Sequence, residues 1–456
     1  MSITLMKHQQ LGLELSRTHP RFHFAWKPGT GKTILMLAIW KERPARTLVV
    51  AQRSIISTAW KKDAELMGVP CTVAYETNKK RRETLLRTPG NGVVVTNYEQ
   101  FKMNAKMMLD LGFERVVFDE SSKLKNRQAQ VTNTAIDFAD HMREVYLLSG
   151  TPAPNCTTEL WSQLRVVHPN AVGRNFFAWA YQWFIPEYDF VRGKRVIRGW
   201  KMKSGIDDRF NASLKDWMWA LRKQDCMDLP ETTNQIIAVE LGEAERAAYD
   251  SVLTSLKIAV PNAQGLAGVS NEAKVAAEGA AMKLRQIVGG SVLVNDSVVP
   301  IGSSKLDAFM DWIEELGDEQ AVVWGEFTHE IDRIAGRLKS AGKSVEIIDG
   351  RNSADSGGVV SNFVAKRTQF VVAHPKAAGH GTDGLQKVCQ YAAYVSLSYS
   401  SESHEQSRDR LHRKGQSRPC TFVYFIATNT IDENLLLCVQ RKTTKQDVLL
   451  AELNRR

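Results

Sequence analysis

Short apolar runs separated by helix-length segments occur in two blocks along this 456-residue chain, and no other feature constrains the fold as tightly. The first block has runs at residues 48–51, 93–95, 116–118 and 146–148, and the second at 321–324, 345–348, 370–373, 394–397 and 422–426. A strand apolar on both sides must be covered on both sides, and the intervening helices supply the cover, so each block predicts a parallel α/β sheet. Two blocks predict two lobes. Between them, residues 171–220 crowd twelve aromatic side chains together and read as an insertion. A further stretch at 243–290 is Ala-rich and reads as helical, broken at 261–268. The expected organisation is a first lobe at 1–168, a mainly helical aromatic and basic insertion at 169–228 and a second lobe at 229–456.

Composition narrows the function classes. With 43% apolar and 24% charged residues, the chain has the balance of a folded globular protein. No apolar run approaches the roughly 18 uncharged residues of a membrane span, and the first residues lack a signal-peptide core. Six cysteines lie far apart without a CxxC pair, against a disulfide framework or a zinc module and in favour of a reducing cytoplasm. His380, His404 and His412 have no metal-like spacing either. Lys and Arg number 60 against 50 Asp and Glu, a net charge of +10. Residues 1–170 carry +9 of it, 171–230 carry +4 and 231–456 carry −3. A polyanionic partner should therefore touch the first half most.

The sharpest local signal is PGTGKT at residues 28–33, between an alternating strand at 22–25 and a helical run at 34–40. Glycines let backbone N–H groups close around phosphates, and the helix that follows turns its positive end toward them. Lys32 would contact the β- and γ-phosphates, and Thr33 would hold Mg²⁺. Trp26 stands where the general pattern has its first glycine. A second signal is Asp119-Glu120, directly after the apolar run 116–118. Alone, such a pair commonly ends a solvated strand; with a phosphate loop in the same block, Asp119 reads as the metal-side ligand and Glu120 as the base for the attacking water. A third is QSRDRLHRKGQ at 406–416, where Arg410 and Arg413 share a face if the segment is helical. Planar guanidiniums suit a γ-phosphate in transfer, although a solvated basic helix has the same composition.

Taken in order, these segments resemble the superfamily-two nucleic-acid motors, and among them the Swi/Snf-type double-stranded DNA translocases, over nearly the whole chain. The resemblance is carried by KHQ (7–9), PGTGKT (28–33), WKKD (60–63), VTNYE (95–99), DESSKLKN (119–126), SGTPAPN (149–155), ELW (159–161), LRQ (284–286), SKL (304–306), DG (349–350), AGHGTDGLQ (378–386), DRLHRKGQ (409–416) and TIDE (430–433). It implies two RecA-like lobes around one Mg-ATP. Gln9 would read the adenine, while Pro28, Gly29, Thr30, Gly31, Lys32, Thr33 and Gly381 would line the nucleotide. Arg410 and Arg413 would reach its phosphate from the second lobe. Arg53, Thr96, Asn97, Lys125 and His380 would contact DNA. The implied protein is a monomeric ATP-dependent motor on duplex, fork or junction DNA, in a compact phage or prokaryotic form acting in the cytoplasm. A strand-separating helicase on DNA or RNA shares the same hydrolytic motifs, and a clamp using ATP as a latch is the rival of another class. Three positions depart from the family pattern: Trp26-Lys27 replace an acidic pair, Ser122 replaces the histidine of DEAH, and one extra residue precedes Leu385.

One basic cluster stays ambiguous. Residues 188–203 mix aromatics with Arg192, Lys194, Arg195, Arg198, Lys201 and Lys203 around a turn expected near 192–193. The hairpin either sets cations against phosphates or packs its aromatics on the first lobe with its charges in water. Lys79, Lys80, Arg81 and Arg82 read as a solvated helix start.

Overall fold

The computed structural model describes residues 4–76, 78–88, 90–153, 156–191, 194–226, 228–259, 271–295, 297–352, 356–378 and 384–441, with side chains at all of these except 54, 58, 189–191, 194, 224, 258–259, 271–275 and 441. The chain divides into two units, Met1–Tyr188 with Ile197–Asp228 and Asp189–Val196 with Leu229–Arg456.

The first unit is built on a seven-stranded sheet of β1 (Arg21–Trp26), β2 (Thr47–Ala51), β3 (Cys71–Val73), β4 (Val93–Asn97), β5 (Arg115–Asp119), β6 (Glu144–Leu148) and β9 (Met218–Leu221). The order is β3-β4-β2-β5-β6-β1-β9, with parallel pairing throughout. Alternation along each strand feeds two cores. Val49 and Ala51 join Phe22, Phe24 and Trp26 on one face, while Leu48 and Val50 join Val94, Phe101 and Phe118 on the other. Apolar residues in both phases of the alternation are what a sheet covered on both faces requires. Parallel strands also place every C-terminal end on one edge, where open α/β sheets bind ligands.

The aromatic segment packs onto this unit. Trp179, Trp183, Phe184 and Phe210 form one core with Leu160, Trp161 and Leu164 of the helix Leu160–Val167. The segment is less helical than expected: beside the helix Phe176–Trp183 it carries β7 (Phe184–Val191) and β8 (Lys194–Met202), which pair as a two-stranded sheet. The tip of that hairpin, 192–193, lies outside the described residues. Met218–Leu221, expected to belong to the insertion, instead pairs as a strand beside β1. The basic run at 79–82 does begin a helix, Lys79–Leu86, capped by the Asn78 side chain accepting from the Arg81 N–H at 3.2 Å. It is not wholly solvated, because Arg82 is buried and donates to the Glu76 carbonyl at 2.9 Å.

In the second unit β10 (Thr232–Val239), β13 (Ala321–Trp324), β14 (Val345–Ile348), β15 (Phe370–Ala373), β16 (Tyr391–Tyr394) and β17 (Cys420–Ala427) form a parallel sheet in the order β10-β17-β16-β13-β15-β14. A small antiparallel pair, β11 (Ser291–Val294) and β12 (Ser297–Pro300), stands apart from it. The strand expected at 394–397 lies three residues earlier. Its neighbour β13 ends at Trp324, opposite Tyr394, and the last backbone bond to it runs from the Val395 N–H to the Trp324 carbonyl. The Ala-rich stretch forms the helices Glu243–Ala259 and Asn271–Val288, and the residues between them lie outside the described set. The SKL and TIDE segments meet in a buried ion pair, Lys305 Nζ to Asp432 Oδ2 at 2.6 Å, so their separation in sequence reflects one packed contact. Among the described residues no helix is long and apolar enough to cross a membrane.

Candidate active site

Three loops of the first unit lie side by side because β5, β6 and β1 are neighbours in its sheet. The loop after β1 is PGTGKT. Gly29 and Gly31 have φ of 83° and 78°, the left-handed region that glycine alone enters without strain. Gly31 caps the helix Lys32–Glu42, and a Cβ there would lie 2.2 Å from Gln9 Nε2. Thr30 is buried with its hydroxyl on the Lys27 carbonyl at 2.8 Å. The Lys32 ammonium donates to the Trp26 carbonyl at 2.7 Å. That contact explains why Trp26 serves where glycine is usual. Its indole belongs to the core, and only its backbone carbonyl is offered to the loop.

Behind the loop, His8 shares a hydrogen bond with the Thr30 carbonyl at 2.8 Å, and Gln9 donates to the Gly31 carbonyl at 3.1 Å. Gln9 also accepts from the Met6 N–H at 2.9 Å. The amide expected to read adenine is thus turned onto the loop backbone, which it braces.

The loop after β5 carries the acidic pair. Asp119 is buried; Trp60 Nε1 donates to its Oδ2 at 2.7 Å and the Glu120 N–H to its Oδ1 at 2.9 Å. Burial pushes the Asp119 carboxyl above the usual range, opposed by the charge of Lys32 and then by those two hydrogen bonds. Glu120 has φ of 53°, a left-handed conformation uncommon outside glycine and frequent at functional sites. Tyr98 OH donates to the Asp119 carbonyl at 2.8 Å. The loop after β6 brings Ser149, whose hydroxyl donates to Glu120 Oε1 at 3.1 Å; Ser122 Oγ donates to the same oxygen at 3.0 Å. Ser122, at the position of the family's histidine, therefore binds the catalytic candidate directly. Gly150 lets this loop close on the first, since a Cβ there would lie 2.5 Å from Pro28 Cδ.

A buried relay lies beneath. Ser121 Oγ donates to Gln163 Oε1 at 2.9 Å and sits 3.2 Å from His23 Nε2, so the ring donates from that nitrogen. Gln163 Nε2 donates in turn to the Pro152 carbonyl. His23 is fully buried, and its pKa is lowered to about 3 by burial first and by the charge of Lys32 second.

This donor set fits a nucleoside triphosphate with a divalent cation. Backbone N–H groups stand at a helix start, an ammonium and the Thr33 hydroxyl follow, and a carboxylate sits at a strand end on the same edge of the sheet, one strand beyond β6. Residues 23–289 match the SNF2-related domain family. The chain belongs to that family. It has the two parallel α/β sheets that the ordered segments implied for a Swi/Snf-type superfamily-two protein. The chain is 24% identical over 434 residues to protein p41 of Acyrthosiphon pisum secondary endosymbiont phage 1, covering 90% of this chain and 88% of that one. It is 23% identical to the chromodomain-helicase-DNA-binding protein 1-like of Danio rerio (86% of this chain, 38% of the relative). It is 24% identical to the DNA annealing helicase and endonuclease ZRANB3 of Mus musculus (96% and 40%). It thus spans less than half the length of these two animal relatives. The SWI2/SNF2 ATPase core of Sulfolobus solfataricus, solved in complex with double-stranded DNA, aligns with a TM-score of 0.44 at 18% identity over 98% of this chain and 93% of that one.

The remaining SNF2-type positions fall as follows. Arg410 and Arg413 do not share a helical face, because the helix Ser401–Arg408 ends before them and the segment continues as turns. Thr96 is fully buried with its hydroxyl toward the Ala74 carbonyl, which removes its side chain from any DNA-facing surface. Asn97 caps the helix Tyr98–Leu109 by accepting from the Gln100 N–H at 2.9 Å. Arg53 is exposed over the Tyr75 ring, Lys125 is half-buried, and Arg195 and Arg198 are exposed. Gly381, His380 and Arg192 lie outside the described residues, as does the side chain of Lys194. Sequence reasoning passed over Gln163, and it cited Trp60, Tyr98 and Ser149 only as members of WKKD, VTNYE and SGTPAPN. Their roles arise from contacts made across strands, for which a linear pattern carries no signal.

Proposed function

We propose that this chain is an ATP-dependent motor that translocates on double-stranded or branched DNA, remodelling forks and junctions or displacing bound protein. The observation that carries the reading is that Lys32, after β1, and Asp119 and Glu120, at the end of β5, lie along one edge of the same sheet with only β6 between, close enough for the Lys32 charge to act on Asp119, in a chain of the SNF2-related family. Lys32 would hold the β- and γ-phosphates, and Thr33 with Asp119 would hold Mg²⁺. The ion, when bound, neutralises charge developing on the transferred phosphate. Glu120 would take the proton of the attacking water, with Ser149 and Ser122 fixing its carboxylate. Arg410 and Arg413 would complete the charge stabilisation from the second unit. The names of the relatives, which include a DNA annealing helicase and a DNA-binding helicase, support DNA as the track. The charge of +9 in the first 170 residues suits phosphate contacts, which are salt-sensitive and weakly sequence-selective.

The test is phosphate release with single-stranded DNA, duplex, forked DNA and RNA, paired with displacement of a triplex-forming strand. Duplex-stimulated release and triplex displacement are expected. Unwinding of a fork without triplex displacement would make the protein a strand-separating helicase, and nucleotide binding without release would make it a clamp.

A further inference from the structure

We infer that Trp60 is a positioning residue for the metal-side carboxylate, holding Asp119 in the one orientation from which it can serve Mg²⁺; the inference rests on the reading of Asp119 given above. The segment after β2 carries it. Ile56–Lys61 is a π-helical stretch, a rare wound form that occurs mostly as single-turn bulges and frequently at functional sites. Since β2 is the sheet neighbour of β5, this stretch lies beside the strand end that bears Asp119. Trp60 is 1% exposed and belongs to the core with Val49, Ala64 and Met67, so its ring has little freedom to turn.

The two carboxylate oxygens are held separately. The Trp60 indole N–H points at Oδ2 from the side chain, and the Glu120 N–H points at Oδ1 from the backbone. Together they fix the plane of the group. Indole suits this task because its N–H only donates and cannot titrate away in the working range. A carboxylate that swings must be ordered again each time a cation binds, and partners that orient metal ligands are worth about 10- to 100-fold in affinity. An alternative account is that Asp119 merely satisfies a buried indole N–H. The two differ in what happens to Mg²⁺ once the donor is gone.

The experiment uses the full chain and a fluorescent ADP analogue, titrated with Mg²⁺ and separately in EDTA. Trp60→Phe keeps a ring in the core and removes the donor. The expected result is a Mg²⁺ midpoint for nucleotide binding raised about 10-fold, with affinity in EDTA unchanged. Replacing Trp60 with 3-benzothienylalanine, which exchanges only N–H for sulfur, should give the same shift if the Phe variant proves unstable. Asp119→Asn should abolish the Mg²⁺-dependent part of binding, and adding Trp60→Phe to it should change nothing further. A wild-type midpoint in the Trp60 variants beside a displaced one in Asp119→Asn would overturn the inference while leaving the reading of Asp119 intact. An unmoved midpoint in Asp119→Asn would overturn both.

Discussion

Ser149 donates to the same Glu120 oxygen that Ser122 reaches, at 3.1 and 3.0 Å, so two neighbouring loops hold one carboxylate. If Glu120 is the base, Glu120→Gln keeps the shape and loses the proton acceptor. Nucleotide binding should persist, and turnover should fall by about two or more orders of magnitude. Lys32→Ala should weaken binding as well as turnover, because its ammonium acts in the ground state too. Equilibrium binding and steady-state phosphate release on the two variants separate these outcomes. Near-normal turnover in Glu120→Gln would remove Glu120 from the chemistry.

Arg413 lies in the second unit, while the phosphate loop and acidic pair lie in the first. If it acts on the transferred phosphate, Arg413→Ala should bind ATP and DNA normally yet hydrolyse about 10³-fold more slowly. Arg413→Lys should fail to rescue it, since an ammonium lacks the planar fork. Single-turnover hydrolysis measures the effect, and a Lys variant with wild-type rate would assign Arg413 to the DNA backbone or to the fold.

Arg195 and Arg198 are exposed on β8, with Lys194 in the same strand and Arg192 just before it in sequence. Replacing all four with alanine should weaken duplex binding and flatten log K against log salt by about 0.9 for each lost contact. ATPase without DNA should hardly change. Fluorescence anisotropy over a salt series reads the slope, and an unchanged slope would leave the cluster as a charged face over a packed aromatic core.

His23 titrates in a direction that can be signed. Its folded pKa, about 3, lies below the ordinary 6.5, so below pH 6.5 the unfolded chain binds a proton that the folded chain refuses. Its share of stability is complete above pH 6.5 and is lost as pH falls toward 3, at about 1.4 kcal/mol per pH unit once well below 6.5. His404 in the second unit, also lowered to about 3 chiefly by burial, behaves alike. His23→Gln removes one titrating group and retains a donor for Ser121. Between pH 7 and 5.5 its urea stability should fall by about 1 kcal/mol less than that of the unsubstituted chain. Parallel loss in both proteins would mean that His23 takes up its proton in the fold as readily as in the unfolded chain.

Much of this was legible in the linear chain. Both sheets follow from apolar residues filling both phases of a strand, and the phosphate loop follows from glycines at positions that need a positive φ, as Gly29 and Gly31 do. These are local properties, set by steric limits and burial within a few residues, so sequence by itself determines them. The partners within the site are another matter. Trp60 and Asp119 lie 59 residues apart, Ser149 and Glu120 lie 29 apart, and His23 and Ser121 lie 98 apart. Which of these pairs meet depends on the order β2-β5-β6-β1, a property of the whole sheet. Packing also buries Thr96 and turns Gln9 onto the loop backbone, although both sit in motifs that suggest contact with a ligand. A side chain's type says which hydrogen bonds it can make; only tertiary packing decides which groups come within about 3 Å of it, because that distance is set by strands far apart along the chain.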